Sequence, residues 1–225
     1  MQKVTDKYDK LHERTRQMDD AQCQYILLRF CTCQNLNHWM RTVRPDLMQD
    51  AADAFDGETL TTLQRLLWST AEQTQHHVAL TELQIMQVRQ HCKLGGLGLS
   101  STALIKSAAY LGSWTQTKKL IKEKLKDSNL SNILDTLDSN PHDSPTVDAI
   151  SEAYGFISSE FARARKQLPE INNLEVVTEH AQRHYADAIL QNLKADMLAE
   201  AGDRDRARIL SCAGPKAAAW LNCIP

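Results

Sequence analysis

The positions of proline and glycine constrain the fold of this chain more than any other feature. No proline occurs between Pro45 and Pro141, and the 225 residues include only 8 glycines. Proline and glycine are the residues that most often end helices. Apolar residues recur at helical spacing, whereas alternating apolar and polar runs are scarce. We therefore predict an all-α fold, an irregular array of helices in two packed groups.

A segment rich in turn-forming residues divides this array. Residues 138–146 combine two prolines with several Asp, Ser and Asn residues, a composition typical of a linker. We predict a helical region over 1–137, a linker over 138–146 and a C-terminal helical region over 147–225.

Single glycines predict further helix boundaries. Gly57 is expected to separate two helices, Gly112 to interrupt another, and Gly202 to follow the end of a long C-terminal helix. Residues 84–94 are the one segment whose pattern also permits a short strand.

Three of the eight glycines lie within four residues. Gly95, Gly96 and Gly98 predict a tight structural turn in which the backbone adopts conformations that side chains disfavour. Ser100 or Ser101 then caps the next helix, whose first amide groups are a potential phosphate site.

The near-zero net charge conceals a strong asymmetry. The whole chain carries −2, which excludes a uniformly basic nucleic-acid clamp, but residues 86–126 carry +7 and residues 127–160 carry −7. Lys118, Lys122 and Lys126 recur every four residues and therefore predict a stripe on one side of a helix. Such a stripe can follow a phosphate backbone. Two alternatives are a solvated Lys-rich helix and a basic block neutralised by the acidic one.

The cysteines indicate a reducing compartment. Six Cys residues without a signal peptide are read as free thiols, so we expect an intracellular protein, cytoplasmic or nuclear. Cys23, Cys31, Cys33 and His38 form the one arrangement that resembles a metal site, but their spacing does not match that of structural zinc. We expect no metal and no cofactor.

No catalytic motif stands out. A phosphate-binding loop, a complete dinucleotide fingerprint and a nucleophile elbow are all missing, and no apolar run is long enough to cross a membrane. Asp53 and Asp56 are expected to be solvated on a helix surface.

Four blocks of sequence carry a resemblance to a known family. They are LLRFCTCQNLNHWMRTVRP from Leu27, AFD at Ala54–Asp56, LGGLGLSS from Leu94 with SAAYLGSW after it, and RARILSCAGPKAAAWLNCIP from Arg206. In this order they resemble the region that follows the polymerase core in reverse transcriptases of non-LTR-type retrotransposons. The chain departs from the family pattern before the glycine turn, where Gln90-His91 replaces Leu-Pro, and near the end, where Lys216 and Ala218 replace glycines.

The resemblance implies a place in a polyprotein and no catalytic residue. The aspartates of the family's polymerase palm lie upstream of the matched region, so we expect a truncated relic, a separate reading frame or a fragment without an autonomous active site. In that setting the resemblance implies contacts with the backbone of template or primer, RNA or DNA. The implied contact residues are Lys106, Lys118, Lys119, Lys122 and Lys126.

A second hypothesis is a helical protein–protein interaction module with no nucleic-acid role. In that case the chain binds protein, and the basic and acidic blocks satisfy one another. A third, an enzyme with an unrecognised site, has no candidate residues in the sequence.

Overall fold

The computed structural model of the chain describes residues 2–68, 79–125, 145–176 and 180–214. Regular structure in these ranges is helical throughout, which confirms the predicted all-α fold. A π-helix covers Leu28–Thr32 and a 3-10 helix covers Ile171–Val176. The α-helices of the described residues are α1 (Gln2–Arg16), α2 (Ala21–Leu27), α3 (Asn37–Thr42), α4 (Gln49–Leu67), α5 (Glu82–Arg89), α6 (Thr102–Leu125), α7 (Pro145–Arg163), α8 (Ala181–Glu200) and α9 (Asp203–Ser211).

Several predicted helix boundaries are wrong. Helix α4 continues through Gly57 and α6 continues through Gly112. Because one glycine costs a helix only about 1 kcal/mol, burial of the residues around it outweighs the local preference. Residues 82–89 form α5 instead of a strand, with Thr81 and Gln84 making a reciprocal capping box at its start. Gly202 follows the end of α8, as predicted, and is also the N-cap of α9.

The chain divides into two compact units that each draw on segments distant in sequence. Unit 1 contains Met1–Leu36, Asp50–Ala103 and Leu193–Pro225, and unit 2 contains Asn37–Gln49 and Leu104–Asn192. Most of the predicted linker at 138–146 lies outside the described residues, and Pro145 and Thr146 open α7. The division proposed from sequence therefore stays a prediction. Among the residues that the structure describes, no helix is both long and apolar enough to cross a membrane.

Two apolar clusters form part of the core among the described residues of unit 1. The larger cluster brings residues of α2, the π-helix, α4, α5 and the glycine turn together, and the smaller one joins α5, the end of α8 and α9. The larger cluster contains Tyr25, Leu28, Cys33, Leu63, Val88, Cys92 and Leu99; the smaller contains Met197, Ala201 and Ile209.

Helix α1 is held against α4 by a buried histidine. His12 is fully buried, with its ring edge-to-face against Phe55 at a centroid distance of 5.3 Å. Its Nδ1 lies 3.1 Å from the hydroxyl of Thr62, which also accepts a hydrogen bond from Arg16 Nε at 3.0 Å. Arg16 also forms an ion pair with Glu58. Burial, together with the charge of Arg16, lowers the pKa of His12 from 6.5 to about 4, while Glu58 opposes that shift.

We predict that acid destabilises unit 1 through His12. Between about pH 6.5 and 4 the unfolded chain binds a proton that folded His12 does not, so the free energy of unfolding falls as the pH falls through this window. From about pH 7.5 to 5 the expected loss is about 2 kcal/mol, measured by urea denaturation. His12→Gln is expected to remove this dependence, whereas the same change at exposed His38 leaves it. A wild-type dependence that survives His12→Gln would contradict the assignment.

The core of unit 2 is formed by α6, α7 and the first part of α8. Phe161 of α7 packs edge-to-face with Tyr185 of α8, and the Tyr185 hydroxyl lies 3.1 Å from the hydroxyl of Thr115 of α6. Helices α6 and α8 approach closely at Gly112, where a Cβ atom would lie 2.6 Å from the backbone of Gln182. This close approach is the reason that a glycine occupies the middle of α6.

We predict opposite effects of alanine at two helical glycines of unit 2. Gly112→Ala forces α6 away from α8 and is expected to lower the free energy of unfolding by about 1–3 kcal/mol. Gly155 of α7 is exposed and has no neighbouring atom within 4 Å of a Cβ, so Gly155→Ala is expected to raise it by about 0.5–1 kcal/mol. Chemical denaturation of both variants tests this, and equal stabilisation would show that α6 and α8 are not in close contact at residue 112.

Candidate nucleic-acid interface and glycine turn

The glycine turn folds back along the C-terminal end of α5. The amide of Leu97 donates to the Gln87 carbonyl at 3.3 Å, that of Gly98 to Gln90 at 2.7 Å, and that of Leu99 to Val88 at 3.2 Å. The side chain of Gln87 also donates to the carbonyl of Gly95 at 3.0 Å. The turn is therefore fixed by hydrogen bonds to one side of the preceding helix.

At each of the three positions of the turn, glycine is required for a different steric reason. Gly95 and Gly98 have φ angles of 93° and 73°, in the left-handed region that favours glycine. At Gly96 a side chain would collide with the backbone carbonyl and Cβ of Gln90. A Cβ at Gly98 would lie 2.7 Å from Nε of Arg29. The three residues thus form a turn whose backbone passes close to neighbouring groups on both sides.

The first block with a family resemblance and the residues just before it contact this turn directly. The hydroxyl of Tyr25, in α2, donates to the carbonyl of Leu97. Arg29, in the π-helix that continues α2, lies against Gly98 and close to Cys92. This π-helix brings the Leu-Arg-x-Cys segment up to the glycine turn.

The last block closes the other side of the turn. Leu94 pairs with Ala213 in an isolated antiparallel bridge, and the amide of Gly214 donates to the carbonyl of Lys93 at 3.0 Å. A Cβ at Gly95 would lie 2.6 Å from the carbonyl oxygen of Ile209 in α9. Residues separated by more than 100 positions are therefore in contact at the turn.

The AFD block supplies a buried carboxylate. Asp56 of α4 is only 6% exposed and accepts hydrogen bonds from the Thr102 amide at 2.8 Å, the Ala103 amide at 3.2 Å and the Ser101 hydroxyl. Burial raises the pKa of Asp56 above its ordinary value, and these three hydrogen bonds oppose the rise. The carboxylate of Asp56 therefore caps α6 from a different helix.

This cap corrects two predictions. Asp56 is not solvated, and the first amides of α6 are bonded to a carboxylate, so they are not open to a phosphate. Ser101, directly before α6, donates its hydroxyl to Asp56. The helical spacing of Ala52, Phe55, Thr59 and Leu63 places Asp56 beside the buried face of α4, a signal present in the sequence.

We predict that Asp56→Asn lowers the free energy of unfolding by about 1–3 kcal/mol. Asparagine keeps one acceptor oxygen and puts an NH₂ group where the second one was, so at least one buried donor of residues 101–103 loses its partner. The matched control is Asp53→Asn, on an exposed position of the same helix, with an expected change within about 0.5 kcal/mol. Urea denaturation of both variants measures the difference, and equal effects would argue against the cap.

The lysines predicted to contact nucleic acid lie in different environments. Lys118 is only 3% exposed, so its ammonium group does not lie on an open surface of α6. Lys106 is half-buried and its Nζ donates to Oε1 of Gln49 at 2.5 Å. Lys119 and Lys122 belong to α6, but their side chains, like all of Lys126, lie outside the described residues. Lys118 continues the buried face formed by Leu111 and Thr115, a spacing of four and then three residues.

An arginine that the sequence reasoning did not single out lies beside α6. Arg41 of α3 is exposed, and its Nη2 donates to Oε1 of Gln116 at 2.9 Å. Gln116 is exposed and precedes Lys119 by three residues, so it lies one turn away on α6. In unit 2 the structure thus adds Arg41 to the basic side chains of α6.

One member of the acidic block is held within unit 2. The carboxylate of Glu160 accepts hydrogen bonds from Asn192 Nδ2 at 2.7 Å and from Arg163 at 3.3 Å. This carboxylate is therefore paired with α8 and with its own helix. Residues 127–144, which hold four of the seven acids of the block, lie outside the described residues.

The cysteine and histidine residues form no metal centre in the part of the chain that the structure describes. There, no group of three or more His, Cys, Asp or Glu side chains is arranged to hold a metal ion. Burial raises the pKa of the Cys33 thiol to about 12, which keeps it protonated at neutral pH. Cys33 is part of the larger apolar cluster of unit 1.

Comparisons of the chain with protein-family models, with curated proteins and with solved structures give no match.

Proposed function

We propose that the chain is a non-catalytic helical region of the kind that follows the polymerase core in non-LTR-type retrotransposon reverse transcriptases. In this proposal it binds the backbone of template or primer nucleic acid, and the chemistry of polymerisation belongs to aspartates outside it. The proposal starts from the four sequence blocks that resemble that family.

One observation supports the proposal above all others: the blocks are in contact. Arg29 comes from the first block, Asp56 from the second and Ile209 from the fourth. All of them contact the third block or the residues that follow it at the start of α6. A chance match of scattered short motifs gives no reason for the matched residues to surround one turn. A structural requirement shared with the family does give such a reason.

The basic residues of unit 2 are the proposed contacts with phosphate. Lys106, Lys119, Lys122 and Lys126 remain in this set, and Arg41 joins it because of its position beside α6. Lys118 is left out because it is buried. Each lysine or arginine that neutralises a phosphate releases condensed counterions, which makes such binding strongly dependent on salt.

We predict that the purified chain binds single-stranded nucleic acid with a linear fall of log K against log salt. The slope is expected to be about −0.7 for each phosphate contacted. The triple variant Lys106→Glu, Lys119→Glu, Lys122→Glu is expected to weaken binding and to reduce the size of the slope by about 2. Fluorescence anisotropy with a labelled oligonucleotide, at several salt concentrations, measures both quantities.

A matched control separates local from overall charge. Lys7, Lys10 and Arg14 are exposed on α1, and their change to Glu alters the net charge by the same amount as the triple variant does. This control is expected to keep most of the slope. If the wild-type chain shows no binding at low salt, or if both triple variants behave alike, the nucleic-acid proposal fails and the protein–protein interaction module becomes the better hypothesis.

A further inference from the structure

Phe30 is an aromatic side chain on the surface beside the glycine turn. It is 53% exposed, although large aromatic residues are usually well buried. It belongs to the π-helix Leu28–Thr32, a rare geometry that often occurs at functional sites. The neighbouring Leu28 is fully buried in the core of unit 1, so the π-helix is anchored while Phe30 faces solvent.

The ring of Phe30 is held on one side by an arginine. The guanidinium carbon of Arg29 lies 4.6 Å from the centre of the ring, in a cation–π arrangement. The same Arg29 lies against Gly98, where a Cβ atom would be 2.7 Å from its Nε. Arg29 thus connects the exposed ring to the glycine turn and reduces the freedom of the ring before any ligand binds.

The two chain segments that carry Phe30 and the glycine turn contain basic but no acidic residues. Residues 21–36 and 83–103 contain Arg29, Arg89 and Lys93 but no Asp or Glu. The carboxylate of Asp56 contacts the second of these ranges, but it is buried and bonded to residues 101–103. Asp20, the nearest acid before Phe30, caps the far end of α2, about 15 Å away by helical rise.

An exposed aromatic ring with a stacked arginine, in basic surroundings, has the chemistry that binds unpaired bases. Proteins that hold single-stranded nucleic acid without reading its sequence combine aromatic platforms, on which bases stack, with cations near the phosphates. We infer that Phe30, with Arg29 beneath it, is a stacking platform for one base of single-stranded nucleic acid that passes the glycine turn. This inference rests on the proposed function and assigns it a contact in unit 1.

The experiment compares two exposed phenylalanines. The probe is a fluorescein-labelled single-stranded RNA of mixed sequence and about 12 nucleotides, bound at low salt. Phe30→Ala is expected to weaken the affinity of the chain for this RNA about 10-fold. Phe30→Trp is expected to keep the wild-type affinity, and bound RNA is expected to quench the fluorescence of the introduced indole. Phe156→Ala, at a position 39% exposed on α7 in unit 2, is expected to leave affinity unchanged. Circular dichroism of each variant establishes that the helices are intact.

The salt dependence distinguishes the two kinds of contact. Loss of a stacked base removes no phosphate contact, so Phe30→Ala is expected to keep the wild-type slope of log K against log salt. If the wild-type chain binds RNA and Phe30→Ala binds equally well, the platform is wrong while the proposed function stands. If the wild-type chain does not bind, both fail. Equal losses for Phe30→Ala and Phe156→Ala would also overturn the platform.

Discussion

The carboxylate of Asp56 is the interaction on which the rest of unit 1 depends. The start of any helix leaves four amide groups without partners, and a buried start needs them satisfied by the protein. In α6 the amides of Thr102 and Ala103 are satisfied by Asp56, which is an integral part of α4. One carboxylate therefore fixes where the chain leaves the glycine turn, and the hydrogen bonds to α5 fix how it enters. The turn has little conformational freedom left between these two constraints.

The same carboxylate limits what the turn can bind. A glycine-rich turn followed by a helix start is a common anion site, because free amides and the helix dipole both attract negative charge. Here the negative charge comes from the protein itself. A polyanion that approaches this region therefore has to be held by side chains, and the cations and the exposed ring of the π-helix become more important than the backbone of the turn.

Sequence patterns predicted the helices better than they predicted the burial of polar groups. Periodicity is sufficient for the all-α fold because it is repeated in every segment. The helix boundaries predicted at Gly57 and Gly112 were wrong because a glycine indicates only a local backbone preference. The close approach of α6 to Gln182 is a tertiary contact between distant segments, which that preference does not reveal. The prediction for Asp56 was wrong for a related reason. A titratable residue is expected in solvent until its partner is known, and the partners of Asp56 lie more than 40 positions away.

Part of the missing information was nevertheless present as spacing. Lys118 is on the buried face of α6 because it follows Leu111 and Thr115 at helical intervals, a relation that the i, i+4 series of lysines concealed. In the same way, His12 follows buried Tyr8 by four residues and precedes buried Thr15 by three. Whether a series of like residues is exposed is therefore better predicted from the apolar positions of the same helix than from the spacing of the series itself.

The burial of Lys118 also bears on the proposal that a chain of net charge −2 binds a polyanion. A continuous stripe of lysines would bind phosphate by charge alone, with an affinity that collapses as salt rises. A patch that loses a lysine to burial needs a component that salt does not screen, and stacking on an aromatic ring is such a component. If the proposed function is right, the cations of unit 2 and the ring of Phe30 in unit 1 are expected to make separable contributions to binding, one set by ionic strength and the other by contact area.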